Sequence, residues 1–282
     1  MSIEIPEYLS VPGDRLGEGT PVRVRVVEDM DDVARDIARV MIEEATRARE
    51  EGRAATFIVP VGPVDQYPVL AERINAERAD WRDVMLVNMD EYLTDDDRWV
   101  DVDHPLGFRG FMDRKFYDLL DPALAPRPEN RGFPDPQDPD AVGRVIEARG
   151  GVDVCFGGIG INGHMAFNEP PEPGEQVAPE QFAALPTRVL SLSRETRTIN
   201  SVTVGGEISI VPRRAITVGM KEILASRRCR FYCNRPWQRA VVRRVLHGPI
   251  TAACPASLLR THADAEITVA RYVAEPPDIK LR

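Results

Sequence analysis

Apolar residues recur along the chain in two forms, short runs and helical stripes, and they alternate from end to end. Val22, Val24 and Val26 alternate with Arg23 and Arg25, the pattern of an edge or half-buried strand at 22–27. Asp29 or Asp31 can cap a helix over about 32–51, where Val33, Ile37, Val40 and Met41 keep helical spacing and Gly52 ends the element. The runs 56–61 and 84–89 are nearly all apolar, as in strands covered on both faces, and a helix rich in Glu and Arg is predicted between them at about 66–77. A helix at about 106–119 precedes 122–139, where six prolines predict an irregular connection. A helix at 141–149 and a strand at 152–156 follow. After a Pro/Glu/Gly-rich stretch at 171–179, a candidate cover for a site, strands are predicted at 188–192, 215–218, 230–233 and 266–269. Helices are predicted at 194–202, 221–226, 237–246 and 255–261. No repeat or low-complexity linker interrupts the series. The alternation predicts one α/β domain over 1–282: a doubly wound, mostly parallel, modified Rossmann-like sheet with helices on both faces. Ligands in such sheets sit beyond the carboxyl ends of the strands.

Composition narrows the function. The 282 residues are 43% hydrophobic and 29% charged, ordinary for a soluble chain, with a formal net charge of −9 that argues against nucleic-acid or anionic-membrane partners. No apolar run approaches the roughly 18 residues of a membrane span, and the N-terminus lacks a signal-peptide pattern. Cys155, Cys229, Cys233 and Cys254 form no C-x-x-C pair and read as reduced thiols of a cytoplasmic protein, so no metal is expected. The acidic segment 95–103 lacks the glycine and terminal glutamate of a calcium loop and reads as solvated.

The chemistry concentrates at 155–170, CFGGIGINGHMAFNEP. Gly157, Gly158, Gly160 and Gly163 follow an apolar strand, which suits a tight turn or close approach to a ligand. His164 and Glu169 come next, and Asp90 stands at another strand end. A half-desolvated aspartate can take a proton from carbon beside a carbonyl. A histidine held by a carboxylate can exchange a proton with a sugar ring oxygen. Together these open a sugar ring and enolise it, and an amine on carbon 2 then leaves as ammonia without metal or organic cofactor. Each residue also has a plain structural role open to it: a helix cap for Asp90, a carbonyl contact for His164, an arginine pair for Glu169. Three such groups at strand ends favour the chemical role.

The segments VNMDEY at 87–92, His104-Pro105, GGIGINGHMAFNEP at 157–170, Asn200-Ser201 and VPRRAITVG at 211–219 resemble the glucosamine-6-phosphate deaminase (glucosamine-6-phosphate isomerase) family, in order and spacing over about 22–270. The resemblance implies a cytoplasmic homo-oligomeric enzyme converting glucosamine 6-phosphate and water to fructose 6-phosphate and ammonia, with Asp90 as proton shuttle and His164 with Glu169 opening the ring. Asn162 stands where many members carry aspartate. Asparagine can orient the imidazole but cannot balance its charge, a tuning change.

Phosphate recognition departs further. The loop Val61-Gly62-Pro63-Val64 replaces one like T-G-G-T-P, and Pro63 lacks an N–H. Val202 replaces an arginine, and the family's late-helix lysine falls near Gln238 or Arg239. Gly62, Gly158, Gly163, Arg213 and Arg239 are therefore the expected substrate contacts, with Arg194, Arg197, Arg214 and Arg235 as further replacements. The expectation is an amino-sugar isomerase/deaminase whose substrate is glucosamine 6-phosphate or a related or unphosphorylated amino sugar. The alternative is a sugar-binding sensor of the same fold without turnover. Against it stand the retained catalytic set, the acidic charge, and a segment before Val22 too short for a helix-turn-helix domain. A lactone hydrolase, using a similar G-H turn, is a weaker third reading.

Overall fold

The computed structural model describes residues 4–63 and 65–280. Seven strands form one parallel sheet in the order β1-β10-β9-β6-β2-β3-β5. They are β1 Arg23–Val27, β2 Thr56–Val59, β3 Met85–Asn88, β5 Arg131–Gly132, β6 Val154–Gly158, β9 Arg228–Cys233 and β10 Ala265–Ala270. From β2 the chain moves outward to β3 and β5; β6 then returns beside β2, and β9 and β10 extend the other way. The order thus reverses between β2 and β6, which opens a crevice at their carboxyl ends. The helices around the sheet are α1 Met30–Glu50, α2 Gln66–Glu77, α3 Phe108–Lys115, α4 Ala141–Ala148, α5 Pro179–Ala183, α6 Arg194–Ser201, α7 Met220–Leu224, α8 Gln238–His247 and α9 Arg271–Ala274.

Local chemistry accounts for the elements. Every residue of β2 and β3 is buried, whereas edge strand β1 is mixed. The side chain of Asp29 accepts the Asp32 N–H at 2.9 Å and caps α1, and Gly52 at φ +76° lets the chain leave it. Phe57, Trp81, Phe116, Tyr67 and Phe156 meet at ring-centroid distances of 5.4–6.4 Å in the main core.

Beside the expected parallel sheet stands a second one. β4 (Asp90–Leu93), β7 (Arg188–Ser191) and β8 (Arg214–Thr217) form a separate antiparallel sheet, in the order β4-β8-β7. Met89 joins the two: its N–H donates to Val59 O (2.9 Å) and its carbonyl accepts from Val218 N (2.7 Å). One residue between β3 and β4 leaves no break in the apolar pattern, so the change of sheet is invisible in periodicity. The Pro-rich stretch also contains more order than expected, since β5 pairs with β3 at its edge. The helix expected at 106–119 is shorter, because Phe116 leaves helical geometry and a tight turn follows at Tyr117–Leu119.

Candidate active site

A cavity of about 490 Å³ opens at the carboxyl ends of β2 and β6. Its walls come from 60–63 after β2, 158–160 after β6, Asp90 and Tyr92 on β4, the entry to α3, the end of α6 and the β9–α8 connection. Asp90 and His164, delivered by different segments, face this same space.

Asp90 is 7% exposed, and its carboxylate accepts no hydrogen bond from the described residues. Burial, and then the charge of Glu91, push its pKa well above the usual carboxylate range. Strand alternation sends neighbouring Glu91 to the other face. There it accepts the N–H groups of Tyr92 (2.8 Å), Phe108 (2.9 Å) and Arg109 (2.8 Å), anchoring the start of α3. The adjacent acids therefore do different work: Glu91 shapes the wall, and Asp90 is free to exchange a proton.

Glu169 is the reverse of Asp90. It accepts from Asn162 Nδ2 (2.8 Å), Ser193 N (3.2 Å) and Ser193 Oγ (3.1 Å), and lies 3.7 Å from His164 Nδ1. Burial raises its pKa, but the adjacent imidazole of His164 and the hydrogen bonds the carboxylate accepts outweigh that and bring it to about 2. An ionised carboxylate only accepts, so Asn162 must turn its amide nitrogen to Glu169 and its oxygen to His164. Asn162 Oδ1 indeed stands 2.8 Å from His164 Nδ1 and 3.2 Å from the His164 N–H. Nδ1 therefore carries the proton, and Nε2, on the ring edge turned away from Asn162, is the nitrogen that can exchange one with a ligand.

Gly160 makes room for that imidazole: a Cβ there would lie 2.1 Å from His164 Cε1 and Nε2. Gly62 and Gly158, expected substrate contacts, also line the cavity. Gly163 does not. At φ +93° its N–H donates to Gly160 O (2.9 Å), and a Cβ would meet Cys254 Sγ at 2.6 Å, so it shapes the turn and touches no ligand space.

Two expected cations also lie elsewhere. Arg239 Nε donates to Tyr272 O (2.6 Å) and its Nη2 pairs with Glu275 (2.6 Å), facing the C-terminal segment. Arg213 is exposed, and neither arginine lines the cavity. Arg214 is paired with Asp97 and Arg197 is held by the Ile208 and Val211 carbonyls. Among the described residues, Arg235 is the one Lys or Arg lining the cavity, and it makes no ion pair.

Sequence reasoning missed Ser193 and Thr196. Ser193 caps α6 by accepting Thr196 N (3.2 Å) while donating to Glu169, and Thr196 Oγ1 stands 3.2 Å from His164 Nδ1. With Asn200 they occupy positions i, i+3 and i+7, one polar stripe of α6, and that spacing was the available signal.

Comparison with known proteins gives the family. No family model matches the chain. A glucosamine-6-phosphate deaminase from Hahella chejuensis is 30% identical over 240 residues, covering 83% of this chain and 85% of that protein. One from Serratia proteamaculans is 31% identical over 216 residues, 74% of this chain and 75% of its own. The chain belongs to the glucosamine-6-phosphate deaminase family. A solved monomeric glucosamine-6-phosphate deaminase of the NagB superfamily superposes with a TM-score of 0.75 at 26% identity, over 90% of this chain and 99% of that one. A 6-phosphogluconolactonase from Thermotoga maritima (TM-score 0.63, 14% identity, 89% of this chain and 100% of that one) shares the fold.

The structure also places the positions at which this chain departs from the phosphate contacts that the resemblance implies. Val202 is 69% exposed and absent from the cavity wall. Gln238 lines the wall but is committed to the protein: Nε2 donates to Ile159 O (2.8 Å) and Oε1 accepts Arg235 N (2.7 Å). Pro63 lines it without an N–H to offer, and Val64 of the same loop lies outside the described residues. Among the described residues, no group of His, Cys, Asp and Glu could hold a metal ion.

Proposed function

We propose that this chain converts a 2-amino sugar to the corresponding ketose with release of ammonia. Glucosamine 6-phosphate, giving fructose 6-phosphate, is the substrate to test first. The observation that carries this reading is the pairing of a desolvated, unpartnered Asp90 with the exchangeable edge of His164 across one cavity.

In the proposed sequence His164 Nε2 takes the proton of the anomeric hydroxyl and returns one to the ring oxygen, which opens the sugar. Asp90 then removes the proton from carbon 2, and the carbon 1 carbonyl becomes an enol as its oxygen takes a proton from the ammonium on carbon 2. The proton returns to carbon 1, leaving an imine at carbon 2. Water adds to that imine and ammonia departs, so amino sugar plus water gives ketose plus ammonia. Glu169 and Asn162 hold the imidazole, with Ser193 and Thr196 behind them.

Among the described residues Arg235 alone contributes a formal positive charge to the wall, which supports weak recognition of phosphate and room for a related or unphosphorylated amino sugar. Assembly of 1–282 as a single deaminase-like domain, homo-oligomeric and cytoplasmic, belongs to the same proposal. Among the described residues no helix is long and apolar enough to cross a membrane. The test measures ammonia and ketose from phosphorylated and free hexosamines, for the wild type and Asp90→Asn. Turnover that Asp90→Asn abolishes supports the proposal. Binding of a hexosamine by calorimetry without any ammonia or ketose would replace it with the sensor.

A further inference from the structure

Asp90 has a neighbour on its own face that the sequence of steps above does not use. β4 alternates, so Asp90 and Tyr92 point one way while Glu91 points the other, and both Asp90 and Tyr92 line the cavity. The Tyr92 ring is held between Phe108 and Phe167, at centroid distances of 5.0 and 5.2 Å. Its hydroxyl oxygen accepts Asn200 Nδ2–H at 2.8 Å, and its own proton has no acceptor among the described residues. A phenol usually finds a partner for that proton when buried. Burial, with a further contribution from the Asp90 charge, raises its pKa, so it remains a neutral donor across working pH.

We propose that the Tyr92 hydroxyl, held by Asn200, donates a hydrogen bond to the oxygen on carbon 1 of the substrate while Asp90 moves the proton between carbons 2 and 1. When Asp90 takes the carbon 2 proton, the electrons of that C–H bond form the C1=C2 double bond. The carbonyl π electrons then pass to the carbon 1 oxygen, whose negative charge the phenol O–H stabilises. A proton from the ammonium on carbon 2 then passes to that oxygen. When Asp90 returns its own proton to carbon 1, the C1=C2 electrons form the new C–H bond, the nitrogen lone pair forms the C2=N bond, and the phenol keeps an ordinary contact to the carbon 1 hydroxyl. Tyr92 is thus a catalytic residue and Asn200 a positioning residue that fixes the phenol's lone pair and leaves its proton for substrate. The proposal rests on the amino-sugar reading for its substrate, but its chemistry requires only an enolising sugar.

Two measurements test it together. In Tyr92→Phe, which keeps the ring between its neighbours, kcat should fall about 100-fold or more with KM held within about threefold, and the thermal midpoint should stay close to wild type. Asn200→Ala should lower kcat in the same sense, by about tenfold, again with KM held. Separately, calorimetry compares an open-chain aldonohydroxamate, a planar mimic of the enolate, with the corresponding saturated alditol. Tyr92→Phe should weaken the hydroxamate about tenfold or more and leave the alditol unchanged. Equal hydroxamate affinities in wild type and variant, or a wild type that does not bind the hydroxamate, overturn the proposal. A wild type that turns over no amino sugar, yet loses hydroxamate affinity on Tyr92→Phe, rejects the substrate reading and keeps this one.

Discussion

Replacing Glu169 by Gln removes one charge and little volume, and its effect can be worked out before it is made. The carboxylate is held at about 2 against an ordinary 4.5. At 1.36 kcal/mol per pH unit that difference stabilises the folded chain by about 3 kcal/mol once both states are ionised. The sign is that of a depressed acid: the contribution is present above the ordinary value and disappears as pH falls toward the folded one. The introduced amide does not titrate there, so the stability gap between wild type and variant must depend on pH. Urea unfolding from about pH 7 to about pH 3 should show the gap shrinking by about 2 kcal/mol, with the remainder lost below. A gap constant to within about 0.5 kcal/mol over that range would mean that Glu169 is not ionised by its partners, and the orientation assigned to Asn162 would lose its basis. Catalysis supplies a second reading of the same change. A glutamine can offer Asn162 either its oxygen or its nitrogen, so Asn162 is released to turn and His164 can carry its proton on the wrong nitrogen. A wrong tautomer lowers kcat by up to about 10⁴-fold in a related acid–base arrangement, and kcat here should fall by at least about 100-fold with little change in KM.

Three further outcomes follow from the same geometry. Asp90→Asn should reduce ammonia release by about 10³-fold or more. It should also leave the thermal midpoint at neutral pH unchanged or higher, because the raised acid favours folding only while protonated and loses that contribution as pH rises through its folded value. Gly160→Ala places a methyl group 2.1 Å from His164 Nε2 and should lower kcat/KM by about 100-fold as the ring is displaced, read against unchanged secondary structure by circular dichroism. Arg235→Ala should raise KM for a phosphorylated hexosamine by about tenfold and leave that for the free sugar alone, since its exposed guanidinium is the formal positive charge on the wall; equal effects on both sugars would dissociate Arg235 from phosphate.

Much of this arrangement is legible in the residues because it is local. The bounds of α2, the Asp29 cap and the glycine turn after β6 each depend on a few neighbouring side chains, and the structure reproduces them. The second sheet depends on pairing Asp90 with Thr217 and Arg188 with Thr217 across more than a hundred and about thirty residues of chain, which no short period records. Arg239 was expected at the substrate because the lysine that the resemblance implies at the start of α8 falls near Gln238 or Arg239. One residue on a helix turns a side chain by about 100°, and Arg239 therefore meets Tyr272 and Glu275 while Gln238 meets the cavity. Ser193 escaped for another reason: its most visible job, capping α6, hides the hydrogen bonds it gives to Glu169.

The opposed treatment of two carboxylates assigns the proton traffic. Asp90 is desolvated and without a donor among the described residues, whereas Glu169 is desolvated and receives three hydrogen bonds, so burial wins in one and loses in the other. Acids driven apart in this way take different roles at one pH. Near neutrality Glu169 stays ionised and serves as a fixed charge, while only Asp90 has been moved toward the range where a proton can be both taken and returned. The acid limb of the kcat/KM profile should therefore belong to Asp90 and lie above the ordinary carboxylate range. Glu169→Gln should lower the plateau of that profile and leave the limb where it was. A limb that shifts with Glu169→Gln would reverse the two roles and, with them, the order of proton transfers proposed for the sugar.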